Sequence, residues 1–356
     1  MQLTKYKLGD LIVQRREKNK NYDVPIRGVS KEGFIRAKQQ EADTSIYNVF
    51  YKYDFVFNPA RMELNSIALN LEYEKALCSS LYEVFYVKDE NIVLPEYLNL
   101  HIKRDEFARH CDYIGLGSAR EYCRFANISE FDIELPPIEV QREIVEADRQ
   151  IKRRIRLNEQ MIQHLEATAQ ALYRKMFVDD IDKENLPEGW RMGTLGEVAT
   201  FKYGKLAEKH VRSKEYPYPV FSGYAVTGYT DEYTLKEPTI VIIARGDAGT
   251  GRICMSPKEC FLSNLAIAIE TKDVLIKDYL YYHLLDSDTM SLRSGSAQAQ
   301  ITINNVEPFE IMIPLKDVYV DFSQKVETLY NTILIYSQEN SKLTELQSLL
   351  LAKMGQ

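Results

Sequence analysis

The chain has 356 residues, 45% of them hydrophobic, and a formal net charge of −7. That length holds two or three domains with real cores, and the acidic total argues against a protein that coats nucleic acid without sequence preference. No apolar run reaches the roughly 18 residues of a membrane helix. The opening MQLTKYKLGD lacks the apolar stretch of a secretory signal. Five cysteines with no CxxC pair speak for a reducing cytoplasm and against a zinc site.

Residues 1–135 read as an α+β domain. KYKLGDLIV leads into short runs rich in Tyr, Phe, Val and Ile at 45–57, 66–74 and 81–89, which predict strands. Residues 94–115 predict a helix, and 116–137 a polar loop followed by a strand. Residues 136–176 then read as one long helix. Pro136 and Pro137 suit its start, where a missing N–H costs nothing. Ile151, Ile155, Asn158, Ile162, Leu165, Ala169 and Leu172 recur at alternating steps of four and three, a heptad seam made to lie against another helix. An acidic, turn-rich linker follows at 177–193 and ends near Trp190, the single tryptophan.

A second α+β domain spans 194–313. It contains a Gly- and Tyr-rich hairpin series (217–233), the apolar strand TIVIIA with a Gly-rich turn after it (238–255), the strand FLSNLAIAIET, and a helix at 277–294. A polar loop and a closing strand complete it at 295–315. Residues 314–356 form a second long helix with its seam at Leu329, Ile333, Tyr336, Asn340, Leu343, Gln347 and Leu350. Each position lies 178 residues after its counterpart, Leu329 after Ile151 and Leu350 after Leu172. The domains repeat as well: KLGDL at 7–11 matches TLGEV at 194–198, and EYLNLHI at 96–102 matches DYLYYHL at 278–284. The architecture is therefore a domain and a helix, twice, with loops that diverge. A 40-residue helix is about 60 Å long at 1.5 Å per residue. Antiparallel pairing of the two seams implies a pseudo-twofold repeat, with the domains at opposite ends of a rod and facing one side. Asn158 and Asn340 are polar residues of the kind that set helix register.

This order resembles the specificity subunit of type I restriction-modification systems. The segments ELPPIEVQREIV, IMIPLKDVYVDF, LPEGWRMGTLGEV, IIARGDAGTGRI and GSAQAQITINN carry the resemblance, which covers nearly the whole chain. It implies a non-catalytic subunit whose two target-recognition domains each read half of a bipartite sequence in double-stranded DNA. It also implies that the helices set the spacing and dock two adenine-methyltransferase (modification) subunits, to which restriction subunits attach. No cofactor is expected in this chain; S-adenosylmethionine belongs to the partner methyltransferase. Two other functions compete with this one. A stand-alone DNA-binding regulator would bind tightly alone, and a coiled-coil adaptor would have no nucleic-acid role.

Bases are read by side chains at their edges: Arg suits guanine, Asn or Gln suits adenine, and phosphate contacts only position the protein. In the first domain the candidates are Arg61 and Met62 after the strand DFVFNP, and Arg120, Tyr122 and Arg124 in the loop 116–127. In the second they are Lys202, Tyr203 and Lys205 in the opening loop, Arg245 at the head of the Gly-rich turn, and Arg293, Gln298, Gln300 and Asn304 around the loop 294–305. Gly246, Gly249 and Gly251 would let the turn approach a phosphate closely. The run RQIKRRIR (149–156) has five cations and no acid, and reads first as a charged helix face. No methyltransferase or nuclease motif stands out, and the five histidines are scattered.

Overall fold

The structure, a computed structural model, describes residues 3–20, 22–37, 43–115, 122–182, 184–208, 211, 215–246, 249–295 and 299–354. In chain order the first domain comprises β1 (Thr4–Lys7), α1 (Leu8–Leu11), β2 (Ile12–Arg15), β3 (Arg27–Ser30), β4 (Gly33–Arg36), β5 (Asn48–Tyr51), β6 (Phe55–Phe57), β7 (Ile67–Leu69), β8 (Lys75–Cys78), β9 (Glu83–Val87), α2 (Pro95–Ile102), α3 (Asp105–Gly115), α4 (Phe125–Ser129) and β10 (Asp132–Leu135). The helix α5 (Ile138–Phe177) follows. The second domain holds β11 (Arg191–Thr194), α6 (Leu195–Val198), β12 (Ala199–Tyr203), β13 (Tyr218–Phe221), β14 (Val226–Thr230), β15 (Ile240–Ile243), β16 (Ile253–Met255), β17 (Phe261–Leu262), β18 (Ala266–Thr271), α7 (Lys277–Asp286), α8 (Ile303–Val306) and β19 (Glu310–Ile313). The helix α9 (Lys316–Lys353) ends the chain.

The repeat reaches the sheet topology. The first domain has a four-stranded antiparallel sheet in the order β2-β9-β6-β7, and the second has β12-β18-β15-β16. In both, the first strand pairs antiparallel with the last, β1 with β10 and β11 with β19, at the foot of a long helix. The remaining small sheets differ, β3-β4 and β5-β8 against β14-β13-β17. Divergence is thus concentrated in what decorates a shared core.

By contacts the chain forms two compact units, Met1–Asn158 with Gln338–Gln356, and Glu159–Ser337. Both boundaries fall inside long helices, so each unit is a globular domain with a part of each helix. In the first unit Phe55, Phe57, Phe85 and Tyr97 form the core, which Val145 of α5 and Met354 of α9 join. Gln347 donates to Asp148 at 2.7 Å, Arg154 to Glu339 at 2.9 and 3.1 Å, and Asn158 to Asn340 at 2.9 Å. Partner numbers fall broadly as the α5 number rises, so the helices pair antiparallel, as expected. In the second unit Ala169, Tyr173 and Phe177 of α5 pack with Tyr279 and Tyr282 of α7 and with Phe322 and Val326 of α9.

The seam lies where the heptad spacing puts it. Ile151, Asn158 and Ala169 are buried. Ile155, Ile162, Leu165, Leu172, Leu329, Ile333, Tyr336, Asn340, Leu343, Gln347 and Leu350 are half-buried, while the off-seam Leu334, Ile335, Leu346 and Leu349 are exposed. Three sequence readings change. The run 45–57 is two strands in different sheets, split at Tyr53, whose φ of 67° turns the chain, and at Asp54. The helix expected over 94–115 is two, α2 and α3, broken at Lys103 and Arg104; the one expected over 277–294 ends at Asp286, with a 3-10 turn at Thr289–Leu292. No helix among the described residues is long and apolar enough to cross a membrane.

Candidate nucleic-acid interface

In the first unit, β6 ends at Phe57 and the chain turns into a 3-10 helix, Pro59–Leu64. Asn58 caps it by accepting from the Ala60 N–H at 3.1 Å, and Asn65 closes it in the left-handed conformation (φ 52°), which asparagine tolerates. The turn sits against the β3-β4 hairpin, because Ser66 Oγ donates to the Val29 carbonyl at 3.0 Å. The loop before α4 joins it where the Cys123 N–H donates to the Pro59 carbonyl at 3.0 Å. These three pieces border a groove of about 1520 Å³.

The groove is cationic. Nine lining residues are Arg or Lys (Arg15, Arg16, Lys18, Arg27, Lys31, Arg36, Arg61, Lys103, Arg124) and four are acidic (Glu32, Glu63, Glu83, Asp105). In a chain of net charge −7 this is a local reversal of sign, which draws a polyanion to one face. Most of the cations are held by their own protein. Arg15 forks onto Asp54 at 2.6 and 3.1 Å and lies over the rings of Tyr51 and Tyr86 at 4.8 and 4.6 Å. Burial lifts the Asp54 carboxyl above its ordinary pKa, against the pull of the guanidinium. Lys103 donates to the carbonyls of Lys31 and Ile67 at 3.1 and 2.9 Å, and burial lowers its pKa. Arg27 rests on Tyr73, Lys18 donates to the Ile46 carbonyl, and Arg124 pairs with Glu83 at 3.3 Å.

Of the residues expected to touch DNA in this domain, Arg61, Tyr122 and Arg124 line the groove together, with the Arg124 guanidinium 5.4 Å from the Tyr122 ring centre. Met62 does not belong with them. It is 1% exposed and packs in the domain core, next to the break in the 3-10 turn at Arg61. Arg120 lies outside the described residues. The sequence reading missed Arg15, Arg16, Lys18, Arg27, Lys31, Arg36 and Lys103. The only available signal was the spacing of Arg27, Lys31 and Arg36 around Gly33, a short basic hairpin.

In the second unit the candidates gather along one edge. Tyr203, at the end of β12, accepts from the Ile303 N–H at 3.0 Å, beside the exposed Asn304. Ile301 N–H donates to the Ala244 carbonyl at 2.9 Å, bringing Gln300 next to Arg245, and Lys205 is tied to the same region through the Leu262 carbonyl. Arg293 is exposed but spends its guanidinium on the Thr250 carbonyl at 2.8 and 2.5 Å. Lys202 alternates away from Tyr203 along β12 and pairs with Glu270 at 2.6 Å. Gln298 lies outside the described residues. The glycines of the turn serve the protein itself. A Cβ on Gly251 (φ 90°) would come within 3.0 Å of the backbone at Thr289 and Met290, and one on Gly249 within 3.1 Å of Ile243; only Gly246 faces open space. The basic run 149–156 is largely self-paired: Arg149 with Glu146 and Glu96, Lys152 with Asp148, Arg154 with Glu339. Among the described residues no group of acids, histidines and cysteines could hold a metal ion.

The sequence pattern of the Type I restriction modification DNA specificity domain matches twice, over residues 2–167 and 187–345. The chain belongs to that family. The specificity family also supplies its relatives: the Type I restriction enzyme HindI specificity subunit of Haemophilus influenzae is 22% identical, over 74% of this chain and 77% of the relative. The MjaIX specificity subunit of Methanocaldococcus jannaschii is 21% identical, over 74% and 68%. Among solved structures, the type I restriction-modification S subunit from M. genitalium aligns at a TM-score of 0.61 with 17% identity, covering 99% of this chain and 96% of that one. A chain from a structure of complex assembly and conformational transition in a type I system aligns at 0.51 with 19% identity, covering 99% and 97%. At these identities the two structures establish the shared fold.

Proposed function

We propose that this chain is the DNA-reading subunit of a type I restriction-modification complex, each globular domain reading one half of a split target in double-stranded DNA. The observation that carries the reading is the cationic groove of the first domain, in an acidic chain, inside a stretch that matches a DNA specificity domain. The paired helices α5 and α9 set the gap between the halves and offer the docking face for two methyltransferase subunits, with restriction subunits attached to those. The exposed Leu334, Ile335, Leu346 and Leu349 give that face its apolar character. Methyl transfer and cleavage belong to the partners, and S-adenosylmethionine is bound by the methyltransferase. The acidic total fits a subunit that binds DNA weakly alone and firmly inside the complex.

The test is long-read mapping of adenine methylation in cells with the gene intact and deleted. A motif of the form half-site, gap, half-site that disappears on deletion is the expected result. An unchanged methylation pattern, with the partner methyltransferase demonstrably expressed, would overturn the proposal.

A further inference from the structure

The cationic groove holds two populations of side chains, and the difference assigns roles. A residue that reads a base needs unspent hydrogen-bonding groups on a backbone that does not move. Most polar side chains there have spent theirs. Asn58 caps the Pro59–Leu64 turn, Asn48 donates to the Ser79 and Tyr82 carbonyls, and Gln14 donates to Glu83. Arg15, Arg27, Lys103, Lys18 and Arg124 are committed as described, and Arg16 gives its Nε to Gln14 at 2.8 Å. Among the described residues that leaves Lys31, Arg36 and Arg61 as the groove cations whose side chains make no hydrogen bond or ion pair. Lys31 sits in the β3-β4 turn and Arg36 at the end of β4.

Arg61 is placed differently. Its N–H donates to Asn58 at 3.0 Å, and its carbonyl accepts from Ser66 at 3.2 Å and from the Asn65 N–H. Pro59 and Met62, on either side of it, are buried. Its backbone has φ −142° and ψ 29°, a break inside the 3-10 turn that these neighbours hold in place. The side chain is exposed to the groove while the main chain is fixed at both ends.

We infer that Arg61 is a base-reading residue of the first domain, recognising one guanine through a bidentate contact of its guanidinium with O6 and N7, while Lys31 and Arg36 meet phosphates. The guanidinium presents two parallel N–H groups that match that guanine edge, whereas an ammonium on a flexible stem acts as a point charge. The inference rests on the DNA-reading proposal and makes it specific to one atom pair.

The experiment is selection from a randomised duplex library by the assembled complex of this subunit with its methyltransferase, for wild type, Arg61→Ala, Arg61→Lys and Arg36→Ala. Thermal melting of each variant serves as the check on folding. With Arg61→Ala the preference for one guanine, in one half-site, should fall by about tenfold or more, the other half-site being unchanged. Arg61→Lys should restore charge without restoring that preference. Arg36→Ala should keep the motif, weaken binding evenly across sequences and make the salt dependence shallower by about one ion. An unchanged motif in Arg61→Ala, an even loss across all sequences, or a change in both half-sites would each overturn the assignment. No selected motif with the wild-type complex would overturn the recognition reading itself and this inference with it. Should Arg61→Ala melt early, Arg61→Lys alone decides, because it conserves charge and loses only the fork.

Discussion

Arg61 and Met62 are neighbours in sequence and opposites in placement: the Arg61 side chain is exposed in the groove, and Met62 is buried in the domain core. Both follow a strand in a polar context; only the turn geometry separates them. Met62→Ala should therefore destabilise the first unit by about 2–5 kcal/mol, the usual range for emptying a buried Met site, and leave the recognised bases alone. Chemical denaturation reads the first and library selection the second; an altered motif in a fully folded variant would contradict the placement. His101 gives a pH-dependent case. It is 4% exposed, its Nε2 lies 3.2 Å from the Arg104 guanidinium, and burial together with that positive charge pushes its pKa down to about 4. An unfolded histidine titrates near 6.5. Between those values the unfolded chain binds a proton that the folded one refuses, so the stability is present above pH 6.5 and drains away as pH falls toward 4. The linkage is worth about 3 kcal/mol. Replacing His101 with Gln should flatten the fall in unfolding free energy between pH 6.5 and 4.5; an unchanged slope would refute it.

At the level of elements, the helix pair turns on Asn158. It is 2% exposed on the otherwise apolar seam of α5, and its Nδ2 donates to both Glu339 and Asn340 at 2.9 Å. Glu339 in turn takes both arms of Arg154, and its pKa is lowered by that contact and by Asn158. Truncating Asn158 leaves the Asn340 oxygen without this donor, so Asn158→Ala should cost about 1–3 kcal/mol. Asn158→Ala combined with Asn340→Ala should cost less than the two single changes added together; strict additivity in a double-mutant cycle would mean that the contact contributes nothing. These helices were the most legible part of the sequence because their signal is local: a three-four period over three heptads in each helix survives any ignorance of tertiary contacts. The strands were less so. Residues 45–57 look like one β run, and only the positive φ of Tyr53 and the demands of buried Asp54 divide them between two sheets. The groove was least legible. Arg16, Arg36, Lys103 and Arg124 are scattered along the chain and meet only through sheet pairing, hydrogen bonds from Ser66 and Lys103, and the Cys123–Pro59 contact.

For the whole molecule, the continuity of α5 makes length itself a functional variable. Its first part is locked to α9 at Asp148, Arg154 and Asn158, and its last part at Tyr173 and Phe177. Seven residues added to α5 alone, after Glu159, lengthen it by about 10.5 Å. One of the two sets of contacts must then slip by a full heptad. Such a variant should assemble poorly and lose target methylation. A matched heptad in α9, after Ser337, gives every pair its partner back, because seven residues preserve the seam phase. On the proposed function the doubly extended subunit should methylate again, with both half-sites unchanged in sequence and the gap between them longer by about three base pairs, at 3.4 Å per step. Methylation mapping of the two variants separates the alternatives. Recovery with the original gap would mean that the helices hold the domains without setting the spacing, and failure of the matched pair to recover, in a subunit that still folds, would remove the helices from spacing control altogether.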